Sequence, residues 1–162
     1  MKSVILIRHA KSSWDFDVKD VDRPLNHRGK KDAPQMAQRL LERKIEVDAF
    51  ISSPATRAFT TATFFAEAYK KKQKSVLTIP ALYEAGVNNF FDTIAQLDND
   101  FKTVAIFSHN PGITAFANSL CSVSIDDMPT CAMFAIKTDI KKWSDFFEAK
   151  KEFWFFDYPK AL

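Results

Sequence analysis

The chain has 162 residues, 46% hydrophobic and 27% charged, with a net charge of +3. This is the size of one domain, residues 1–162, and the weak, dispersed basic bias argues against a nucleic-acid binder. Only Gly29, Gly86 and Gly112 supply glycine, which excludes a Walker loop or a dinucleotide fingerprint, because both need clustered glycines for close backbone approach to phosphate.

Lys2 to Ile7 reads as a fully buried strand, since its apolar residues run without alternation. Lys11 to Arg28 is a polar, Asp-rich loop containing Pro24. From about Gly29 to Lys44 the pattern is helical, with Ala33, Met36, Ala37, Leu40 and Leu41 on one face. Pro34 is tolerable only in the first turn, where a missing amide costs little. Asp48 to Ser52 is a second short strand. Ser53-Pro54 predicts a helix start, with Ser as cap and Pro at the first helical position. Ala58, Ala62, Phe65, Ala66 and Tyr69 continue that helix. The lysines from Lys70 to Lys74 lie at its end, where they complement the helix dipole and meet water.

Ser75 to Ile79 is a third strand and Asn88 to Leu97 a helix with Phe90, Phe91, Ile94 and Leu97 inward. Thr103 to Phe107 is a fourth apolar strand, followed by Ser108-His109-Asn110-Pro111-Gly112 and a helix through Ile113, Phe116, Ala117 and Leu120. Cys131 to Lys137 and Glu152 to Asp157 are two more strands, nearer the sheet edge. The aromatic face of Glu152 to Pro159 belongs to the core or forms a partner surface. Strands and helices alternate, so the fold class is α/β: a three-layer arrangement with a mostly parallel central sheet and helices on both faces.

No apolar stretch approaches the roughly 18 residues of a membrane span, and the N-terminus lacks the layout of a signal peptide. Cys121 and Cys131 are too few for a disulfide framework, lack metal-ligand spacing, and read as buried thiols. A cytoplasmic location, with no membrane or nucleic-acid partner, is the resulting expectation.

The chemistry lies at strand ends, where open α/β sheets bind ligands. The first strand ends in Arg8-His9 and the fourth in Ser108-His109. The second leads into Ser53-Pro54-Ala55-Thr56-Arg57. Each residue alone is an ordinary surface or core group. Together, two arginines that keep their charge and two histidines make a phosphate or carboxylate site. A neutral histidine there can attack phosphorus, while its companion donates hydrogen bonds.

Four segments carry a resemblance: LIRHAKSSWD at 6–15, DRPLNHRG at 22–29, SSPATRAFTTA at 52–62 and SHNPGI at 108–113. In this order they resemble the histidine phosphatase superfamily, whose fold is phosphoglycerate-mutase-like, and more narrowly its small SixA-type phosphohistidine phosphatases. The resemblance implies that His9 is the nucleophile and becomes phosphorylated. It implies that Arg8, Arg57 and His109 complete the phosphate pocket and that Arg23 is directed at the phosphate. An ion pair of Arg23 with Asp20 or Asp22 is the alternative. Asn110 contacts substrate or caps the helix behind it. Glu84, in ALYEAG, lies where many members carry a proton donor, although SixA-type enzymes depend on it less. Ala10 and Lys11 replace the usual glycine and acid, which argues against a sugar-phosphate mutase. His27 matches nothing catalytic and reads as a solvent-facing turn residue.

The expected enzyme is a metal-independent phosphatase without a cofactor. Its expected substrate is phosphohistidine in a signalling or phosphotransfer protein. A small phosphate ester, or a non-catalytic phosphate-binding module, is the competing reading.

Overall fold

In β1 (Lys2–Arg8), the uninterrupted apolar run is buried on both sides. Val4 and Leu6 face one hydrophobic core and Ile5 and Ile7 the other, as the period-two geometry of a strand requires. Such a strand needs a layer on each face, and the chain supplies both. The computed structural model describes residues 1–161; Leu162, the last residue of the expected domain, lies outside them.

The remaining elements follow as α1 (His27–Glu42), β2 (Ala49–Ser52), α2 (Thr56–Ala68), β3 (Leu77–Thr78), α3 (Val87–Ala95), β4 (Thr103–Ser108), α4 (Gly112–Leu120), β5 (Met133–Thr138) and β6 (Lys151–Asp157). One sheet runs in the order β3-β2-β4-β1-β5-β6. The pairs from β3 to β1 are parallel. β5 runs antiparallel to both β1 and β6. The mostly parallel sheet of the sequence reading is therefore mixed at one side.

Phe90 and Ile94 of α3 and Ile113 and Phe116 of α4 pack over Val104 and Ile106. Phe90 and Phe116 stack at 4.8 Å. Met36 and Leu40 of α1 and Ala62 and Phe65 of α2 cover Ala105 and Phe107 on the opposite face. Burial on this scale, at about 25 cal/mol per Å², is what makes the sheet a rigid platform for its loops.

Several boundaries differ from the sequence reading. α1 starts at His27, capped by Asn26, whose Oδ1 accepts from Gly29 N at 2.8 Å. His27 is thus an exposed helical residue, and Pro34 sits inside the helix beyond its first turn. Pro34 and Lys30 are both exposed, so the Lys30 carbonyl that loses its amide partner is open to solvent. α2 starts at Thr56 with Ala55 as N-cap, so Ser53 and Pro54 precede the helix. β3 is only two residues long and exposed, because a short 3-10 turn occupies Gln73–Ser75. Cys131 is buried but Cys121 is only half-buried, and both thiols are free. At the edge strand β6, Phe155 enters one core, Phe156 and Tyr158 pack half-buried against the other, and Phe153 stays 39% exposed, so most of the aromatic C-terminus belongs to the core.

Candidate active site

Parallel pairing of β1 with β4 aligns Arg8 with Ser108, so His9 and His109 leave the sheet side by side. The amide of His9 donates to Ser108 O at 3.1 Å, and the ring centroids lie 5.2 Å apart. β2 lies on the other side of β4, and Ser53 N donates to Phe107 O at 3.0 Å. That placement delivers Ser53 to His109 and Arg57 to the same end of the sheet.

The backbone around His9 is held from two sides. The amide of Cys131 donates to Arg8 O at 3.0 Å and to His9 O at 3.1 Å. The amide of Ala10 donates to Thr61 Oγ1 at 3.0 Å, and that hydroxyl donates to Arg57 O at 2.8 Å. His9 Nδ1 lies 2.7 Å from Ala10 O. A carbonyl only accepts, so Nδ1 carries the proton and Nε2 keeps its lone pair. Burial, with the nearby His109, Arg57 and Arg8 charges, lowers the His9 pKa to about 3. His9 is therefore a neutral imidazole at pH 7, the form able to attack an electrophile.

His109 Nε2 lies 2.7 Å from Ser53 Oγ. Ser53 Oγ also accepts from Ala55 N at 3.2 Å, so one hydroxyl serves both the histidine and the turn that leads into α2. Burial, then Arg57, lowers the His109 pKa to about 4. His9, Arg57, Arg23 and His109 are 6%, 6%, 7% and 8% exposed, and Arg8 is half-buried. Burying so many cationic or potentially cationic groups together costs several kcal/mol per ion unless something compensates.

Part of the compensation is Asp20. Its carboxylate accepts from Arg57 Nη2 at 3.0 Å, from Arg23 Nε at 3.0 Å and from the Tyr83 hydroxyl at 2.7 Å. Arg57 Nη1 also donates to Asp20 O at 2.6 Å. The Tyr83 hydroxyl, followed by Arg57 and Arg23, holds the Asp20 carboxyl far below the usual carboxylate range. Arg23 thus makes the ion pair named as the alternative to a pocket role, with Asp20 rather than Asp22, and Asp20 joins it to Arg57. Arg8 Nη1 donates to Met128 O at 2.8 Å and lies 3.8 Å from Asp127 Oδ2.

The compensation is incomplete. Four buried side-chain nitrogen or oxygen atoms lack a partner among the described residues, and three are Arg8 Nε, Arg57 Nε and His109 Nδ1. Buried polar groups are nearly always paired. Three orphaned nitrogens, all on the residues the sequence singles out, mark a place for an external acceptor.

A cavity of about 390 Å³ is lined by Asp20, Arg57, Tyr83, Glu84, His109 and Asn110 among others. Glu84 is exposed and has φ of 55°. Its loop closes against α4 because Gly112 opens the helix: a Cβ there would collide with the carbonyl of Ala85. Asn110 lines the cavity without capping α4. Its Nδ2 donates to Asp127 Oδ1 at 2.7 Å, and its Oδ1 accepts from Thr114 Oγ1 at 2.6 Å. A larger, more open hollow of about 1020 Å³ lies between Asp139 and Ala149, but no histidine or arginine lines it. Among the described residues, no three His, Cys, Asp or Glu side chains converge to hold a metal ion, and no helix is long and apolar enough to cross a membrane.

The sequence pointed to Arg8, His9, Arg57 and His109, which the fold brings to one end of the sheet, and of the two acids offered for Arg23 the structure uses Asp20. Sequence reasoning missed Ser53 as a histidine partner, Thr61, and Tyr83. Asp20 appeared only as a possible partner of Arg23. Nothing in the chain order links Tyr83 to Asp20, which are brought within reach only by folding.

A neutral imidazole set among fixed positive donors suits a tetrahedral oxyanion. The comparisons agree. Residues 4–90 match the family model of the histidine phosphatase superfamily (branch 1), and the chain belongs to that superfamily. A chloroplastic protein of Arabidopsis thaliana is 30% identical over 156 residues, spanning 90% of this chain and 71% of the relative. The structure of the protein histidine phosphatase SixA complexed with tungstate is similar, with a TM-score of 0.82, 22% identity and 97% of each chain covered. Mycobacterial glucosyl-3-phosphoglycerate phosphatase also shares the fold, with a TM-score of 0.71, 15% identity and 98% of each chain covered.

Proposed function

We propose that this chain is a metal-independent phosphohistidine phosphatase that acts through a covalent phospho-His9. The observation that carries this reading is the neutral His9, proton on Nδ1, beside three buried nitrogens without partners. His9 Nε2 attacks phosphorus and a new N–P bond forms. The substrate P–N bond breaks, and its imidazole leaves with a proton taken from solvent. Water then attacks phospho-His9, releasing phosphate and restoring neutral His9 as its proton passes to solvent. Arg8, Arg57, Arg23 and His109 stabilise the charge on the equatorial oxygens in both steps. Asn110 contacts the substrate from the cavity wall.

The arginines provide the positive charge that other phosphatases take from a metal, so a chelator is expected to leave the rate unchanged. Phosphohistidine fits better than an ester for two reasons. Once solvent has protonated its free ring nitrogen, imidazole departs as a neutral ring, so it needs little help from a protein acid, whereas an alkoxide requires a proton at the oxygen that leaves. The likeness to SixA, described as a protein histidine phosphatase, also covers 97% of both chains, which leaves no room for a large insertion over the site. A phosphoprotein in the cytoplasm, rather than a nucleic acid or a membrane component, is the proposed partner.

The test is hydrolysis of a phosphohistidine protein and a panel of phosphomonoesters under identical conditions. A clear preference for phosphohistidine supports the assignment. Faster hydrolysis of an alkyl phosphate would show that the substrate is a small ester, even if the chemistry on His9 stands.

A further inference from the structure

Seven large hydrophobic side chains are strongly exposed among the described residues, and three of them, Trp14, Phe16 and Val18, fall within five positions of one loop. They are 76%, 58% and 47% exposed. The other four, Met1, Leu77, Phe147 and Phe153, are scattered along the chain. The loop's two ends are fastened. Ser12 bridges Leu25, Ser13 N donates to Pro24 O at 2.8 Å, and Asn26 N donates to Lys11 O at 3.0 Å. The segment between them, WDFDVKDVD at 14–22, therefore stands on a fixed base with its apolar side chains outward.

This loop belongs to the rim of the site. Trp14 lies on the guanidinium of Arg23, 3.5 Å from its carbon to the ring centroid. Arg23 also donates to Ser12 Oγ at 2.8 Å and pairs with Asp20, which ends the same loop beside Arg57. The loop carries Asp15, Asp17, Asp20 and Asp22 against Lys19 alone. In a chain of net charge +3, this is a locally acidic, apolar strip beside a cationic pocket. The pocket selects a phosphoryl group, and the strip selects what surrounds that group.

We infer that residues 14–18 dock the protein that carries the phosphohistidine, and that its surface beside that residue is apolar and flanked by lysine or arginine. This rests on the proposed function. Exposed aromatic side chains gain by leaving water at an interface. The carboxylates of Asp15 and Asp17, which face no partner cation among the described residues, add attraction to a basic surface. The same carboxylates repel nucleic acid and anionic lipid.

Two peptides with a central phosphohistidine, made with phosphoramidate, provide the test. One is flanked by Leu and Lys, the other by Ser and Glu. Wild type should hydrolyse the first with kcat/KM about tenfold higher, and the preference should shrink with salt. The double substitution Phe16→Ser with Val18→Ser should abolish that preference, while phosphoramidate itself is hydrolysed within about twofold of wild type. Binding of both peptides to the His9→Ala protein should show the same order without turnover. Equal treatment of the two peptides by wild type, or an undiminished preference in the double variant, would overturn the inference. A wild-type dimer that the double variant converts to monomer would assign the strip to a second copy instead. If neither peptide is hydrolysed although both bind in the expected order, the proposed reaction fails and the docking surface stands.

Discussion

Both ends of the sheet bury cationic side chains, and they do so in opposite ways. At the amino end, Lys2 is 4% exposed. Its ammonium donates to Asn99 O and Phe101 O, each at 2.7 Å, and lies 5.0 Å from the centroid of Trp143. Trp143 Nε1 donates to Phe101 O at 3.1 Å. Every group there has its partner within the chain. At the carboxyl end, Arg8, Arg57 and His109 keep buried nitrogens unpaired. A buried charge with all its partners is part of the scaffold. One that still lacks partners is prepared for a ligand, and the comparison of the two ends separates scaffold from site without reference to any relative.

Breaking each end should give different losses. His9→Ala should lower kcat by roughly 10³-fold or more, as nucleophile deletions do, while circular dichroism stays native. Glu84→Gln sharpens the picture of the carboxyl end. Assayed on three substrates, it should slow an alkyl phosphate by about 10²-fold and affect phosphohistidine and an activated aryl phosphate far less, because only the alkoxide needs its proton. Equal losses on all three would make Glu84 a positioning group.

Inorganic phosphate should fill the unpaired donors. At about 100 times its Kd it should stabilise wild type by about 2.7 kcal/mol in thermal melts, and Arg57→Ala should lose most of that gain. Lys2→Met, at the other end, should cost about 1–3 kcal/mol of stability by stranding the Asn99 carbonyl and leaving Phe101 O to Trp143 alone, with activity within about twofold of wild type. If Lys2→Met abolished activity while the fold persisted, the division between the two ends would collapse.

The smallest expected effect concerns pH. Both site histidines have folded pKa values below the ordinary 6.5, at about 3 for His9 and about 4 for His109. The unfolded chain therefore binds more protons between those values and 6.5, so stability falls as pH falls through that window. The loss should be on the order of 1 kcal/mol between pH 7 and pH 6, and His109→Ala should flatten the slope of a denaturation series.

Much of this was legible in the sequence because it is local. A buried run ended by Arg8-His9, and another ended by Ser108-His109, place their side chains at strand ends whatever the sheet order. The alternation of Phe90, Ile94 and Met36, Leu40 stripes with strands was enough for the α/β class. Direction was not legible: the residues of β5 are as apolar as those of β4, and period alone carries no sign for parallel or antiparallel pairing. Ser53 and Pro54 have the composition of a helix start, and Ser53 Oγ does accept from Ala55 N, but α2 begins only at Thr56; the contact of the same hydroxyl with His109, 56 positions away, is not legible in the sequence. Asp20 was seen as a neighbour of Arg23 three positions along, but its bonds to Arg57 and Tyr83 join segments that meet only in the folded chain.

The most direct measurement is where phosphate becomes covalently attached. After brief incubation with a ³²P-labelled phosphohistidine protein and an alkaline quench, wild type should carry acid-labile label, and peptide mapping should place it on His9. The His9→Ala protein should carry none. Label on His109, or full turnover with no label on any histidine, would contradict His9 as the nucleophile.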